Sequence, residues 1–489
     1  MSSENVGTLS VQRQSVERVW WPMLRALRDG TDAMRAEGAL FTPPDWRELR
    51  DRKVYLERLS RTFLFNAYDK AVQTLASKPF QKAIQVGELP PPLESIEYDA
   101  DRSGLSLTMF ASQLYEDRVD RGFAVFIVDH VRAVDDQGNP LSLAQEMRMG
   151  ARPYFVRIAP DNLIACDTQV VDGRESVVHL RYKELAYRSN PDYSQVTVER
   201  IWVWNVDTVE LWEKELATTS QDPVEQVRLQ NSSRYGHTLI STRPHGYPAG
   251  GLPIVLVGKL WQRPPLLNLA WLNVQHWQSS SQQAWALHYA RAAILRGKGM
   301  TRDEVEKGIS LGAGAMALSS SPDFDLAYVE VSGAALTAGK EDLAQIEARM
   351  TQLGMAPLSE SSGPQTATGE VRADMQSQSD AQRWAEELEW AIYRGYEMAA
   401  NWRRMALPED FNVAIFRDFA LVAGRANDIT ALQADASAGR ITVETYLSEA
   451  KRRGLYGDDM DPAAEAELAG SGMPEPVAVP AETPPVGPS

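Results

Sequence analysis

Residues 266–290 read LLNLAWLNVQHWQSSSQQAWALHYA, and this stretch contains no Asp, Glu, Lys or Arg. It also lacks Pro and Gly, so an unbroken helix of about 38 Å is available at about 1.5 Å per residue. A charge-free run of this length resembles a membrane span, but its amides, serines and histidines would leave many polar groups unpaired in hydrocarbon. The pattern instead predicts a helix surrounded by protein. Because one chain would not cover every side of it, we expect contacts with other copies of the same chain.

After this helix the chain is predicted to form a small α/β unit and then a second helix. Strand-like and helical runs between residues 293 and 331, separated by glycines, predict a small α/β unit. A second helix carries its apolar residues at helical spacing: Leu343, Ile346, Met350 and Leu353. Residues 359–366, SESSGPQT, suit no regular structure, and a third helix of about 50 Å is predicted over 368–403. The order is therefore helix, small unit, helix, loop and long helix.

The rest of the chain predicts a mixed α/β (α+β) fold with largely antiparallel sheets. Helices are predicted at 16–37, 51–77 and 105–121. Strands are predicted at 123–128, 154–158, 177–187, 196–204, 208–212 and 253–257. A strand at 411–419 is expected to return to the earlier sheet, and a glycine-terminated helix pair follows over 426–453. Residues 473–489 are Pro-rich and predicted to be disordered.

Composition limits the possible functions. The 489 residues suggest two to four structural units, and 44% hydrophobic content is ample for sizeable cores. A net charge of −16 argues against strong, static binding to nucleic acid. The single cysteine, Cys166, excludes a disulfide framework and is predicted to be a buried thiol in a reducing compartment. With neither a secretory signal nor a membrane span predicted, we expect a soluble, intracellular protein when made.

Catalytic motifs are missing from the sequence, which predicts neither an enzyme nor a cofactor. No phosphate-binding Gly-rich loop occurs. His276 and His288 lie twelve residues apart without a carboxylate between them, which favours hydrogen bonding over metal binding. Three tryptophans at helical spacing are expected to pack rather than to stack on bases: Trp271, Trp277 and Trp285. Three carboxylates are expected on a solvated helix flank: Glu386, Glu387 and Glu389.

The order of elements resembles that of the portal (head–tail connector) proteins of tailed bacteriophages, in the branch long catalogued as a phage domain of unknown function. The resembling segments are spread over residues 53–459, and their order rather than any single motif carries the resemblance. They include YLERLSRT at 55–62, GLPIV at 251–255, LLNLA at 266–270, YVEVSG at 328–333, QLG at 352–354, TAT at 366–368 and AGRIT at 438–442.

The resemblance implies a portal-type division of the chain. Residues 1–262 would form the N-terminal part of a wing, 263–291 the first stem helix, 292–335 the clip, 336–358 the second stem helix, 359–368 the tunnel loop, 369–424 the long helix and its return to the wing, 425–470 the crown, and 471–489 a disordered Pro-rich tail. Such proteins form rings, usually of twelve copies, at one capsid vertex, through which double-stranded DNA enters and leaves. Implied partners are the terminase large subunit, a head–tail adaptor, the major capsid protein and a scaffold protein. The implied location is the virion, with the host cytoplasm during assembly.

Three sets of residues follow as candidate site residues. The tunnel loop would expose Ser359, Glu360, Ser361, Ser362, Gly363, Pro364, Gln365 and Thr366 to the channel. The basic side chains predicted to face DNA are Arg296, Lys298, Arg302, Lys307, Lys340 and Arg349, with solvated or intersubunit ion-paired side chains as the alternative. The predicted subunit interface comprises Trp271, Trp277, Gln278, Gln282, Trp285 and His288. An acidic chain with a Ser/Gly/Thr loop suits a low-friction wall, because Lys and Arg contacts with phosphate would slow moving DNA.

Two other classes of function stay open on the sequence alone. A nucleic-acid-processing enzyme of the packaging machinery predicts an Asp/Glu metal cluster or a nucleotide-binding loop. A non-portal virion or scaffold protein predicts an assembly without a DNA-sized opening.

Overall fold

The structure is a computed structural model that describes residues 6–130, 145, 150–171, 173–189, 191, 193, 195–216, 236–248, 250–291, 294–299, 302–307, 321–329, 333–355, 367–417, 426–452, 456 and 460–471. The helices are α1 (Val11–Val19), α2 (Trp21–Asp29), α3 (Thr31–Ala36), α4 (Arg52–Arg61), α5 (Ala67–Ser77), α6 (Pro91–Tyr98), α7 (Leu107–Arg121), α8 (Leu267–Arg291), α9 (Arg302–Lys307), α10 (Gly333–Met350), α11 (Ala367–Trp402), α12 (Ala426–Ser437), α13 (Val443–Arg452) and α14 (Pro462–Ser471).

The strands are β1 (Gln85–Val86), β2 (Phe123–His130), β3 (Pro153–Ile158), β4 (Leu163–Val171), β5 (Arg174–Ser189), β6 (Gln195–Asn205), β7 (Thr208–Glu215), β8 (Thr238–Pro244), β9 (Ile254–Gly258), β10 (Ile294–Lys298), β11 (Asp325–Val329) and β12 (Val413–Ala414). They form a three-stranded sheet in the order β3-β2-β9, a five-stranded sheet in the order β4-β5-β6-β7-β8, and the pairs β1-β12 and β10-β11. All of these strand pairs are antiparallel. The predicted mixed α/β fold with antiparallel sheets is therefore confirmed.

The three-stranded sheet lies at the centre of the main core. Its middle strand β2 is buried along residues 123–128, because α7 and α11 pack against the sheet. Aromatic rings interlock there, with Phe126 5.8 Å from Phe110 and 5.3 Å from Phe155 between ring centroids. Trp402 ties the end of α11 to β2 by donating its indole N–H to the carbonyl oxygen of Val128 at 2.8 Å.

Buried charges tie α7 to strand β3 and to helix α5. Arg157 of β3 donates two hydrogen bonds of 2.7 Å to the Asp117 carboxylate. Asp120 accepts a 2.7 Å hydrogen bond from the hydroxyl of Tyr68 on α5 and a 2.9 Å one from Arg121. Since unpaired buried charges are strongly destabilising, these contacts fix the orientation of α7 within the core.

Several predicted elements differ from those observed. The helix predicted over 51–77 is two helices, α4 and α5, because Asn66 caps α5 by accepting the N–H of Asp69 at 3.3 Å. The helix predicted over 16–37 is also divided, with Pro22 in the first turn of α2. Strands β4 and β8 were not predicted.

Among its described residues, 411–417, the strand predicted at 411–419 does not join either large sheet. Its described part, β12, pairs with the short strand β1, with Gln85 opposite Ala414 and Val86 opposite Val413. β1 and β12 therefore form a separate two-stranded antiparallel sheet.

Glu387 and Glu389 on α11, which are predicted to be solvated, make contacts within the chain instead. Glu387 accepts a 2.7 Å hydrogen bond from Arg118, and Glu389 accepts the backbone N–H of Ile415 at 3.0 Å. These contacts hold α11 to α7 and to the segment that follows it.

The chain divides into two compact units, residues 1–415 and 416–489. In the second unit the predicted helix pair corresponds to α12 and α13, and Gly439 lies between them with a φ of 68°. Helix α14 follows and was not predicted. The Pro-rich segment 473–489 lies outside the described residues.

Candidate subunit interface and channel segment

One face of helix α8 is fixed by polar contacts with the N-terminal part of the same chain. Asn273 donates to the carbonyl oxygen of Phe65 at 2.9 Å and accepts the N–H of Tyr68 at 2.8 Å. Ser281 accepts hydrogen bonds from Arg58 at 3.1 Å and from Thr62 at 2.9 Å. The amides and hydroxyls that make α8 too polar for lipid therefore have partners within the chain along this face.

Trp277 lies at the centre of this buried face. Its side chain is 0% exposed, and its indole N–H donates to Thr42 at 2.7 Å. The neighbouring Gln278 donates to the carbonyl oxygen of Phe41 at 3.1 Å. The sequence-based assignment of Trp277 to a subunit interface is therefore corrected: its ring packs inside its own subunit and cannot reach another copy. Gln278 is half-buried and has its partner in the same chain.

A second face of α8 packs against α10, which runs antiparallel to it. Gln283 donates to the carbonyl oxygen of Leu336 at 2.9 Å, and His276 lies 3.1 Å from the Glu347 carboxylate. A Cβ added at Gly339 would lie 2.0 Å from the Gln283 amide oxygen, so the two helices approach closely at this point. The predicted order of a helix, a small α/β unit and a second helix therefore places α8 and α10 side by side as an antiparallel helical hairpin.

The third face of α8 is exposed and carries no charge. Its members recur at helical spacing and are Asn268, Trp271, Gln275, Gln282 and Tyr289, which we call the α8 stripe. Trp271 is 49% exposed and Tyr289 39% exposed. All members except Trp271 follow a strict seven-residue spacing, which keeps them on one side of a helix. Two residues predicted at the interface, Trp271 and Gln282, belong to this stripe.

The remaining two predicted interface residues lie near the end of α8. Trp285 and His288 are half-buried, and their rings stack with centroids 5.4 Å apart. Tyr289 of the stripe packs edge-on against Trp285 at 5.0 Å. His288 also lies 3.8 Å from the Glu57 carboxylate on α4. The result is an ordered aromatic cluster at the edge of the stripe.

The predicted DNA-facing basic residues lie on the small α/β unit and on α10. Lys298, Arg302, Lys340 and Arg349 are exposed, and Arg302 is 3.5 Å from Glu306 on the same helix. Arg296 is placed on β10 opposite Ala327, and Lys307 ends α9. Their contact with DNA stays a prediction. The predicted tunnel-loop residues, Ser359 through Thr366, lie outside the described residues.

Metal ligands do not cluster in the part of the chain that the structure describes. Among those residues, no group of three or more His, Cys, Asp or Glu side chains is arranged to hold a metal ion. No helix in the described ranges combines the length and apolarity needed to cross a bilayer.

Sequence reasoning missed the connection between α8 and the turn that precedes α4. Glu48 in this turn forms a buried ion pair with Arg58 at 2.6 Å, and Arg58 in turn donates to Ser281 of α8. No local pattern reveals the second contact, because Arg58 and Ser281 lie 223 positions apart in the sequence. The seven-residue spacing along α8, by contrast, is a signal from which the α8 stripe could have been identified.

Comparisons with known proteins locate a similarity in this same region. A family model described as a domain of unknown function (DUF4055) matches residues 265–403, which run from the start of α8 to the end of α11. No curated protein matches the chain. A solved structure titled "Virion of native gene transfer agent (GTA) particle" contains a chain with 11% identity and a TM-score of 0.38, covering 78% of this chain and 88% of that one.

A second solved structure, "Neck of empty GTA particle computed with C6 symmetry", contains a chain with 11% identity and a TM-score of 0.37, covering 76% of this chain and 86% of that one. At TM-scores below 0.5, neither structure establishes a shared fold. Over residues 265–403, the chain is therefore similar to the domain that the DUF4055 family model describes.

Proposed function

We propose that this chain is the subunit of a phage portal: a ring of identical copies, expected to be twelve, around a channel for double-stranded DNA at one capsid vertex. In this role it is used for genome packaging and ejection, and it provides the docking platform for the terminase motor and the head–tail adaptor. The observation that carries the proposal is the α8 stripe. A helix of 25 residues presents an uncharged row of amides and aromatic rings to solvent, in a chain of which 24% of the residues are charged.

The composition of the stripe fits a contact between protein subunits. Interface cores are depleted in charged residues and enriched in Trp and Tyr. Trp271 and Tyr289 supply apolar area, while Asn268, Gln275 and Gln282 supply hydrogen-bonding groups that a second copy would satisfy. An exposed surface of this kind is typical of a protein–protein contact site.

Ring closure requires a different face on the neighbouring copy, since a ring joins subunits head to tail. Helix α10 offers such a face. It is buried chiefly at Ile346 and Met350, which pack towards the core. Its exposed side carries alanines at five positions, Ala334, Ala335, Ala338, Ala344 and Ala348. Small side chains allow two helices to approach closely, so the stripe of one copy packs against α10 of the next.

The charge of the chain suits passage of DNA rather than its retention. Each Lys or Arg that neutralises a phosphate adds affinity that falls with salt concentration. An acidic protein of net charge −16 is therefore suited to guide DNA without holding it. Lys340 and Arg349 on α10, and Lys298 and Arg302 on the small α/β unit, are the described basic residues proposed to touch the passing duplex.

The decisive experiment is to image and weigh the purified full-length protein. Rings with a central opening about as wide as duplex DNA, with a mass near a multiple of 54.4 kDa, support the proposal. Twelve copies would weigh about 650 kDa. Isolated monomers with metal-dependent nuclease or ATPase activity would favour the packaging enzyme instead. Filaments or shells without an opening would favour a non-portal virion or scaffold protein.

A further inference from the structure

A compact turn that runs into the first residues of α4 exposes cations and apolar side chains side by side. We call residues 45–53, DWRELRDRK, the Trp46 turn. Trp46 is 62% exposed and Leu49 73% exposed. The exposed cations of the turn are Arg47, Arg50, Arg52 and Lys53. None of these cations forms a salt bridge within 4 Å among the described residues, whereas the core arginines of α1, α2, α7 and β3 are ion-paired.

The backbone of the turn is fixed from within. The Asp45 carboxylate accepts the N–H groups of Glu48 at 2.9 Å and of Arg47 at 2.7 Å. Both hydrogen bonds reach Oδ1 of Asp45, and they lower the pKa of this carboxyl, one of the two exposed carboxyls of the turn. The other, Asp51, accepts the N–H of Lys53 at 3.0 Å. One oxygen of each exposed carboxylate therefore accepts hydrogen bonds from the backbone of the turn.

A buried ion pair anchors the turn to the rest of the molecule. Glu48 is buried and receives two hydrogen bonds from Arg58, at 2.6 and 2.8 Å. Arg58 also donates to the carbonyl oxygen of Pro43 at 3.0 Å and to Ser281 of α8 at 3.1 Å. The turn is thus held on the helix that carries the α8 stripe, and its outward side chains project from a rigid base.

Two of the cations are held by the exposed indole ring. The guanidinium carbons of Arg47 and Arg50 lie 5.1 and 5.6 Å from the centroid of the Trp46 ring. Cation–π contacts of this kind limit the freedom of both side chains. Less conformational entropy is then lost when the two guanidinium groups bind an anionic partner.

We infer that the Trp46 turn is a contact site for the phosphate backbone of double-stranded DNA, outside the 265–403 segment. Guanidinium groups match phosphate geometry bidentately and are hydrated weakly. A cluster of cations that lack protein carboxylates as partners is suited to an external polyanion. The inference rests on the proposed function, which makes duplex DNA the available polyanion. It places a second DNA contact on the subunit, separate from the residues predicted to line the channel.

The salt dependence of DNA binding tests this inference directly. Log affinity falls with log salt concentration with a slope of about −0.9 per phosphate neutralised. The triple variant Arg47→Gln, Arg50→Gln, Arg52→Gln of the full-length protein should therefore flatten the slope by about 3. Binding of a fluorescent duplex of about 30 base pairs and random sequence, followed by anisotropy between about 50 and 200 mM salt, measures it.

A matched variant removes the same net charge elsewhere. Arg18, Lys70 and Lys259 are exposed and form no salt bridge within 4 Å in the described part of the chain. The triple variant Arg18→Gln, Lys70→Gln, Lys259→Gln should keep the wild-type slope to within about 1, since a contact site depends on position rather than on net charge. Trp46→Leu should lower DNA affinity several-fold while leaving the slope unchanged, because the cations remain but are less ordered.

The outcomes separate this inference from the proposed function. If the wild-type protein forms rings but does not bind the duplex, or if both triple variants bind it with the wild-type slope, the inference is overturned. Equal flattening by both triple variants overturns it too, since only the net charge would then matter. If the wild-type protein forms no rings, the proposed portal function is refuted. A flattened salt slope in the turn variant alone would still support the DNA contact at the Trp46 turn.

Discussion

Asn273 shows how a single side chain positions the long uncharged helix. It is fully buried and bridges two backbone groups around the start of α5, the carbonyl of Phe65 and the N–H of Tyr68. Few other side chains could replace it, because the site needs one donor and one acceptor on a planar group.

Substitution of Asn273 by Leu is therefore expected to be destabilising by about 2 to 5 kcal/mol, since two buried backbone groups lose their partners. Chemical unfolding in urea measures the loss. Gln275→Leu, on the exposed side of the same helix, serves as the control and should change the free energy of unfolding by less than about 0.5 kcal/mol. Equal effects of the two substitutions would contradict the burial of Asn273.

Asp117 makes the stability of the protein depend on pH. Burial raises the pKa of this carboxyl to about 6, although Arg157 donates two hydrogen bonds to it. A raised folded-state pKa means that the folded protein binds the proton more tightly than the unfolded chain does. The stability from this group is fully present below its ordinary pKa and is lost as the pH rises through about 6.

The free energy of unfolding of the wild type, relative to that of Asp117→Asn, should thus fall by about 2 kcal/mol between about pH 4 and pH 7. Urea titrations of both proteins at closely spaced pH values measure this difference. A difference that grows with pH would show instead that Arg157 keeps the carboxylate ionised in the folded state.

Cys166 was predicted to be a buried thiol, and the structure confirms its burial on β4. Burial raises the pKa of this thiol to about 12. Since the thiolate is the reactive form, the folded protein at about pH 8 should resist labelling by a thiol reagent, and one equivalent should react in denaturant. Rapid labelling of the native protein would contradict this environment, and Cys166→Ser provides the blank.

At the scale of elements, helix α8 has three faces with different partners. One packs on the N-terminal helices through Asn273, Trp277 and Ser281, and a second pairs with α10 through Gln283. The third is the α8 stripe. The expectation that a single chain leaves part of this helix uncovered therefore holds for one face.

Charges introduced into the stripe should prevent assembly without unfolding the subunit. The double variant Gln275→Glu, Gln282→Glu places two carboxylates where an uncharged contact is proposed, and burial of unpaired charge is costly. We expect its mass to shift from assembly to monomer in light scattering, with an unchanged circular dichroism spectrum. Gln12→Glu, Gln81→Glu, at exposed positions outside α8, should assemble normally. An assembled Gln275→Glu, Gln282→Glu protein would exclude the stripe as the interface.

At the scale of the whole molecule, the main hydrophobic clusters belong to the first unit. Every member of the two clusters among the described residues precedes position 416. A chain that lacks residues 416–489 therefore retains both clusters in full.

A chain ending at Ile415 should accordingly unfold within about 3 °C of the corresponding transition of the full chain. A loss of about 1 kcal/mol shifts Tm by only about 2–4 °C for domains of roughly 150 to 250 residues, and by less for larger ones. Differential scanning calorimetry of both chains measures this shift. A fall of more than about 10 °C, or loss of the transition, would show that the first unit depends on the second.

Local sequence patterns suffice to predict the fold class, the limits of the two longest helices and the uncharged character of α8, because hydrophobic period and the absence of Pro, Gly and charge are local properties of the chain. Tertiary structure decided which of the α8 side chains are covered. Trp277 donates to Thr42, 235 positions away, and is buried, whereas Trp271 on the same helix stays half exposed. Tertiary structure also decided that β12 pairs with β1, and that Glu48 and Arg58 hold the Trp46 turn on α8. Such contacts arise from the packing of segments far apart in sequence, which no local period can encode.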